Sequence, residues 1–255
     1  MPLEIVTVPC LADNYAYLAH DAATAATAVI DVPDASAVLN ALRGRGWRAT
    51  HVLITHHHDD HIAGVESLSA ATGARVFGAR ADAHRLPALE EGLIAGDRIR
   101  IGLEEAHVID VPGHTVGHIA FHFPLSRALF SGDSLMSCGC GRLFEGTPAQ
   151  MWQSLSNMAT LPDDTLVYSG HEYTASNIRF AQSVDPDNAA LADRAARVAA
   201  LRAQGLPTLP VSLAEERATN PFLRATDPAM KRRLGMPDAS DADCFAELRA
   251  RKDSF

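Results

Sequence analysis

The sequence is poor in cysteine, has no long hydrophobic run and has no excess of basic residues, and each absence excludes a class of protein. Among its 255 residues are four cysteines, Cys10, Cys138, Cys140 and Cys244, too few and too scattered for a disulfide framework. We therefore expect free thiols. The single residue between Cys138 and Cys140 also departs from the C-x-x-C spacing of zinc and redox motifs.

Charge and hydropathy narrow the class of protein further. The net charge of -9 argues against nucleic acid as a partner, because no long run of Lys and Arg offsets it. The longest mostly apolar runs break within about ten residues, short of the ~20 that a membrane helix needs. Residues 1–10 lack the basic start and apolar stretch of a secretory signal. We expect a cytoplasmic monomer without membrane contact.

The first two thirds of the chain alternate strand and helix patterns, whereas the last third is helical. Runs rich in β-branched and aromatic residues predict strands at residues 3–8, 15–19, 28–31, 51–55, 74–77, 98–101, 107–111, 118–123, 128–131 and 166–168. Capping residues and helical periodicity predict helices at residues 34–45, 62–72 and 148–160. After about His171, propensity and Pro/Gly punctuation predict helices at residues 187–204, 213–218, 228–234 and 241–252.

Residues 55–61, Thr-His-His-His-Asp-Asp-His, place four imidazoles and two carboxylates between a predicted strand and a predicted helix. Neutral nitrogen and anionic oxygen donors at this spacing suit divalent transition metals. His56 and His58 project the same way in an extended or looped backbone, whereas Asp60 and His61 point elsewhere, so one tetrahedral ion cannot use them all. The pattern predicts two neighbouring metals. The alternative is a solvated polar loop that binds adventitious metal.

Three further ligand-type residues, His114, Asp133 and His171, each follow a predicted strand and a glycine. Glycine lets the backbone turn sharply and lets neighbouring loops crowd around an ion. Together with the first cluster, these residues predict one site assembled from several strand ends. His57 has the wrong parity for a ligand, so we expect it to face outward or to support its neighbours.

This ordered set resembles the metallo-β-lactamase superfamily, whose motif is His-x-His-x-Asp-His followed by a distant His, a distant Asp and a final His. The resemblance implies an α/β fold, a four-layer αββα sandwich with the metal site at one edge. It implies two divalent metal ions per chain, zinc first, with iron or manganese as alternatives. The implied ligands are His56, His58 and His114 for the first metal, Asp60, His61 and His171 for the second, and Asp133 as the bridge between them.

Five other segments are similar to the glyoxalase II family: residues 13–18, 138–146, 171–174, 220–224 and 249–255. The resemblance implies hydrolysis of the thioester of S-(2-hydroxyacyl)glutathione, such as S-lactoylglutathione, by a metal-bridging hydroxide. Asp60 and Asp133 are the implied catalytic residues. Residues 1–170 would form the metal-binding domain, and residues 171–255 a C-terminal α-helical domain that contributes to substrate binding.

A glutathione thioester carries two carboxylates, so an acidic protein that binds it must supply a local cationic pocket. Arg249 and Lys252 lie three residues apart on one helix face, where both could reach one carboxylate. By the same resemblance, Arg142 would supply a third cation to the substrate site. Tyr173 could donate a hydroxyl hydrogen bond, and Phe144 stands where many relatives have tyrosine. The alternative for the first two is a basic last turn that complements the helix dipole.

Two other classes of protein fit parts of the sequence. One is another enzyme of the superfamily, such as a persulfide dioxygenase with one iron, a lactonase or a nuclease. The other is a non-catalytic metal-binding or storage protein. Metal content and thioester hydrolysis distinguish the three predictions, because a dioxygenase needs one iron and oxygen, whereas a storage protein has no turnover to lose.

Overall fold

The computed structural model describes all residues 1–255, and its first two thirds alternate strands with helices. The strands are β1 (Glu4–Cys10), β2 (Asn14–Asp21), β3 (Ala26–Ile30), β4 (His51–Leu53), β5 (Arg75–Ala79), β6 (Glu91–Leu93), β7 (Arg98–Ile101), β8 (Glu104–Asp110), β9 (Ile119–Phe123), β10 (Ala128–Gly132), β11 (Leu135–Met136), β12 (Gly139–Cys140), β13 (Leu166–Ser169) and β14 (Val211–Ser212). The helices are α1 (Ala35–Arg45), α2 (Asp59–Ile62), α3 (Val65–Thr72), α4 (Pro148–Met158), α5 (Thr174–Val184), α6 (Ala189–Ala203), α7 (Leu213–Thr219), α8 (Pro228–Arg233) and α9 (Asp241–Asp253).

The chain divides into two compact units that interleave in sequence. The first unit comprises Met1–Asp110 and Gly117–Gly132, and the second comprises Val111–Val116 and Asp133–Phe255. None of the helices combines the length and the apolar character that a bilayer-spanning segment needs.

The first unit contains strands β1 to β10. Strands β1 to β6 are neighbours in sequential order, with β1 to β3 antiparallel and β3 to β6 parallel. Strands β7 to β10 form an antiparallel meander. The rings of Tyr17 in β2 and Phe130 in β10 lie 5.5 Å apart, so the two sheets pack face to face. Helices α1 and α3 cover the outer face of the first sheet through Val38, Leu42 and Leu68.

Capping chemistry sets the ends of two helices where the sequence predicts them. The Asp34 side chain accepts a hydrogen bond from the Ser36 N–H at the start of α1, and Gly46 ends this helix in the left-handed conformation with φ +69°. Thr147 and Gln150 form a reciprocal capping box at the start of α4, and Pro148 occupies the first turn.

The helix predicted at residues 62–72 begins only at Val65, as α3, whereas Ile62 ends a separate short helix, α2, and Gly64 lies between the two. The backbone of Gly64 approaches its neighbours so closely that a Cβ would lie 2.5 Å from the Ala35 nitrogen and 2.7 Å from Val32 Cγ1. Its N–H donates to the Val32 carbonyl oxygen at 2.9 Å. The break therefore places the short helix α2, which carries Asp60 and His61, independently of α3.

The second unit contains helices α4 to α9, the short hairpin β11–β12 and the antiparallel strand pair β13–β14. Helix α4 packs against α9, with the rings of Trp152 and Phe245 6.0 Å apart, and α5 packs against α6 through Ile178 and Leu191. Helix α5 was absent from the sequence prediction because it begins without a side-chain cap. Strand β14 also lies in the stretch for which only helices were predicted.

Candidate metal centre

The end of β4 and the first turn of α2 present four of the predicted ligands within the first unit. His56 and His61 are buried, whereas His58 and Asp60 are half-buried. The Nε2 atom of His56 lies 3.1 Å from Nδ1 of His58, and the Nε2 atom of His61 lies 4.0 Å from Oδ2 of Asp60. The four potential ligand atoms therefore form two close pairs, His56 with His58 and Asp60 with His61.

A buried carboxylate, Asp31, orients two of these imidazoles. The Nδ1–H of His61 donates to Asp31 Oδ2 at 2.8 Å, and the Thr55 hydroxyl donates to the same oxygen at 2.8 Å. The Nδ1–H of His56 then donates to the Thr55 hydroxyl oxygen at 3.0 Å. Because Nδ1 carries the proton in both rings, Nε2 is left as the electron-pair donor, as in histidine–metal sites.

Three other side chains brace the same segment. Asn14 donates through Nδ2 to the Asp60 carbonyl oxygen at 3.1 Å and to Asp60 Oδ2 at 2.9 Å. The Nδ1–H of His57 donates to the buried carboxylate of Asp82 at 3.0 Å, so His57 has a different hydrogen-bond partner from the predicted ligands. The ring of His118 stacks on that of His56 with centroids 4.7 Å apart.

The second unit presents the other three predicted ligands, all buried. Oδ2 of Asp133 lies 3.6 Å from Nε2 of His114 and 3.3 Å from Nε2 of His171. The Nδ1–H of His114 donates to the Arg142 carbonyl oxygen at 2.7 Å, so Nε2 of this ring again carries the electron pair that can bind a metal.

The side chains fit a metal centre by donor chemistry and by spacing. Ligand atoms bound at about 2.0–2.2 Å in a tetrahedral sphere stand ~3.3–3.6 Å apart, which is close to most of the separations above. Four of the seven predicted ligands, His56, His58, Asp60 and His61, lie together in the first unit, and the other three, His114, Asp133 and His171, lie together in the second. All seven residues predicted as ligands therefore belong to one of these two clusters.

Two aromatic rings flank the histidines of the second unit. Tyr173 stacks on His171 with centroids 4.6 Å apart and an interplanar angle of 8°, and it is 38% exposed. Phe144 meets His114 edge to face at 5.3 Å and is 61% exposed. These two predicted substrate residues therefore present accessible aromatic surface beside predicted ligands.

The three predicted cations differ in exposure. Arg142 is exposed, and its Nε lies 3.6 Å from Asp253 Oδ1. Lys252 is half-buried, and its burial, followed by the charge of Arg249, lowers the pKa of its ammonium group. Arg249 is only 6% exposed and donates to the Cys140 carbonyl oxygen at 3.1 Å and to Asp253 Oδ1 at 2.9 Å.

Known proteins match both parts of the chain. The profile of the metallo-beta-lactamase superfamily matches residues 21–171, and the profile described as hydroxyacylglutathione hydrolase C-terminus matches residues 172–255. A hydroxyacylglutathione hydrolase of Cereibacter sphaeroides is 61% identical over 255 residues, and both chains are covered completely. The chain belongs to the hydroxyacylglutathione hydrolase family of the metallo-β-lactamase superfamily. A family member from Ruegeria pomeroyi, also covered completely, is 59% identical.

Solved structures share the fold. ETHE1 from Myxococcus xanthus superposes with a TM-score of 0.68 at 26% identity, covering 98% of this chain and 90% of that one. TTHA1623 in a di-iron-bound form superposes with a TM-score of 0.63 at 25% identity, covering 88% of this chain and all of the other. The predicted fold class, a metallo-β-lactamase sandwich followed by a helical C-terminal part, is confirmed.

Several residues that support the ligands escaped the prediction from sequence. Asp31 is a single carboxylate after a strand, and Asp82 lies in a 3-10 turn far from any motif. The one local sign is conformational: Asp31 has a φ of +54°, which few residues other than glycine, Asn and Asp adopt. This backbone angle is visible only in the structure and not in the sequence.

Proposed function

We infer that the protein hydrolyses the thioester of S-(2-hydroxyacyl)glutathione, such as S-lactoylglutathione, to glutathione and a 2-hydroxy acid. The observation that carries this inference is 61% identity over the whole chain to a hydroxyacylglutathione hydrolase. The C-terminal profile adds weight, because residues 172–255 lie outside the widely shared metal-binding part of the superfamily.

The proposed cofactor is a pair of divalent metal ions, zinc first, with iron or manganese as alternatives. His56, His58 and His114 would hold the first ion, Asp60, His61 and His171 the second, and Asp133 both. The donor chemistry of these side chains and the di-iron-bound form of TTHA1623 support a pair. When bound, two such ions lower the pKa of a water molecule and stabilise negative charge on an attacked carbonyl oxygen.

The remaining chemistry falls to side chains of the chain itself. Asp60 is proposed to orient the attacking water, and the two hydrogen bonds from Asn14 fix the carboxylate for this task. The Asp133 carboxylate would offset part of the positive charge of the bound ions, which neutral imidazoles cannot do. The leaving thiolate has a parent pKa near ~8.5, so it departs without a strong general acid, and a thioester is the matching substrate.

Substrate binding is proposed to involve the exposed aromatic faces of Tyr173 and Phe144 and the cations Arg142 and Lys252. Arg249 points its guanidinium at the loop that carries Arg142, so its contribution passes at least partly through that loop. In this proposal residues 1–170 carry the metal centre apart from its ligand His171, and residues 171–255 contribute substrate contacts to a cytoplasmic monomer.

The test combines elemental analysis with a thioester assay on the purified protein. We expect close to two metal ions per chain and release of free thiol from S-lactoylglutathione. Asp133→Asn should lose at least one ion and about 100-fold or more in kcat, because it removes the charge of the proposed bridge. Glu66→Gln, an exposed change on α3, is the matched control. One iron per chain with oxygen consumption and no thiol release would favour the dioxygenase instead.

A further inference from the structure

The loop from Asp133 to Arg142 joins a proposed metal ligand to a proposed substrate cation. Its backbone is tightly placed at both ends. A Cβ on Gly141 would lie 1.9 Å from the Asp133 carbonyl oxygen and 3.0 Å from Nδ1 of His114. The Arg142 carbonyl oxygen accepts the Nδ1–H hydrogen bond of His114. A shift of this loop would therefore move groups at the metal centre and at the substrate side together.

The middle of the loop is held by a buried carboxylate, Glu216 of α7. Its side chain is fully buried, and both of its oxygens lie 3.0 Å from the N–H of Cys138. The Asn220 side chain donates to Oε2 of Glu216 at 2.8 Å and to the Gly139 carbonyl oxygen at 2.9 Å. The carboxylate therefore organises the loop through direct and relayed hydrogen bonds.

Arg194 of α6 supplies the opposite charge. Its buried guanidinium forms an ion pair with Glu216 and donates to the hydroxyl of Ser137 at 2.8 Å and to that of Thr219 at 2.5 Å. Burial works against the charged form of Arg194, but the Glu216 carboxylate raises the pKa of the guanidinium above its ordinary value. The charged guanidinium therefore faces Glu216, and both side chains contact the loop or its support.

The loop adopts a conformation that needs such support. Cys138 has a φ of +55°, in the left-handed region that is unfavourable for a non-glycine residue. The next residue, Gly139, leaves no room for a side chain, because a Cβ would lie 2.5 Å from Asn177 Nδ2. Glu216 accepts its hydrogen bond from the N–H of Cys138, the residue with the left-handed conformation.

We propose that Glu216, in its ion pair with Arg194, is a positioning residue that holds the Cys138–Arg142 loop in the geometry required for substrate binding and for orienting His114. This proposal rests on the proposed function for its kinetic readout. A buried ion pair stabilises a fold little more than an apolar pair of the same volume. The pair's distinctive contribution is therefore the anchored amide of Cys138, which apolar side chains cannot hold.

Two double variants separate anchoring from stability. Arg194→Met with Glu216→Gln removes both charges but keeps an amide oxygen that can accept from Cys138. Arg194→Met with Glu216→Leu removes the charges and the acceptor. Neither leaves a buried charge unpaired, so both are expected to fold, and Glu247→Gln in the exposed Arg251–Glu247 pair is the matched control.

The measurements are kcat and KM for S-lactoylglutathione, the thermal midpoint, and amide deuterium exchange of residues 136–142. We expect the Gln variant to stay within about threefold of wild-type kcat/KM and the Leu variant to fall by about tenfold or more, at similar thermal midpoints. Exchange in the loop should rise only in the Leu variant. Kinetics and exchange that follow the thermal midpoint in both variants would overturn the positioning role.

The exchange measurement keeps this proposal separate from the proposed reaction. If the wild-type protein releases no thiol from the substrate, the proposed function fails. The loop exchange of the two variants still decides the anchoring: faster exchange in the Leu variant alone supports it, and equal exchange in the two variants overturns it.

Discussion

Lys252 combines a proposed role in substrate binding with a lowered pKa of its ammonium group. Its Nζ lies 5.3 Å from the ring centroid of Phe180 and 5.5 Å from that of Phe255, so part of its hydration is replaced by aromatic faces. Burial and then the charges of Arg249 and Arg179 lower the pKa of this ammonium group. It therefore loses its proton at a lower pH than an exposed lysine does.

We predict that this loss of charge appears in KM. Protonated Lys252 attracts a substrate carboxylate, so KM should rise as pH increases through the lowered pKa, while kcat at saturation changes little. In Lys252→Arg the guanidinium stays charged, and the alkaline rise should disappear. KM measured from about pH 7 to pH 10 for both proteins tests this. An identical rise in the two proteins would assign the titration to another group.

Asp31 governs the proposed ligands from outside the metal motif. It accepts from His61 directly and from His56 through Thr55, so Asp31→Asn disturbs the protonation pattern of two rings without changing volume. We predict about 10- to 100-fold weaker metal retention, measured as metal content after dialysis against graded chelator. Glu66→Gln controls for loss of a carboxylate on the surface of the same unit. Unchanged retention would show that Asp31 is not needed to orient the rings.

At the scale of elements, the connection between α2 and α3 decides where Asp60 and His61 lie. Helical periodicity over residues 62–72 predicts one helix, whereas in the structure Ile62 ends α2 and α3 begins at Val65, after Gly64. Periodicity reports which face of a helix is apolar, but it does not report that another backbone segment passes within contact distance. The close approach of Val32 and Ala35 is the missing information.

Gly64→Ala tests this connection against Gly44→Ala. A methyl group at position 64 meets backbone and side-chain atoms, and we predict a loss of about 1–3 kcal/mol in the free energy of unfolding. At position 44, inside α1, no atom lies within 4 Å, so alanine should add about 0.5–1 kcal/mol. Urea unfolding of both variants measures the difference. Equal stability would contradict the close-approach explanation.

Most elements could be predicted because their causes are local. Each of the ten predicted strands is present, and the predicted caps at Asp34 and Thr147 form as expected. Helices α2 and α5 and the strands β6, β11, β12 and β14 were not predicted. The strands among these are two or three residues long, too short for a period of two to stand out, and α5 begins at Tyr173 without a side-chain cap.

At the scale of the whole molecule, the family and the proposed reaction follow from ligand residues and terminal segments that can be recognised in the sequence in the order typical of the family. The prediction of a hydroxyacylglutathione hydrolase from these segments agrees with relatives that are 61% and 59% identical over the full length. Ligand residues can be recognised from the sequence because a metal restricts the residue types at its site. Histidine and aspartate at these positions therefore indicate metal binding by themselves.

The amino-acid sequence alone determined the strands with strong periodicity, the capped helices, the types of the seven candidate ligands and the cationic character of Arg142 and Lys252. Only the tertiary structure decided that Arg249 is buried against Cys140, that Asp31 orients two imidazoles and that Glu216 anchors the loop. The physical reason is range. Periodicity, caps and residue type act within a few neighbours, whereas burial and hydrogen bonding join Cys138 to Glu216 across 78 residues of chain.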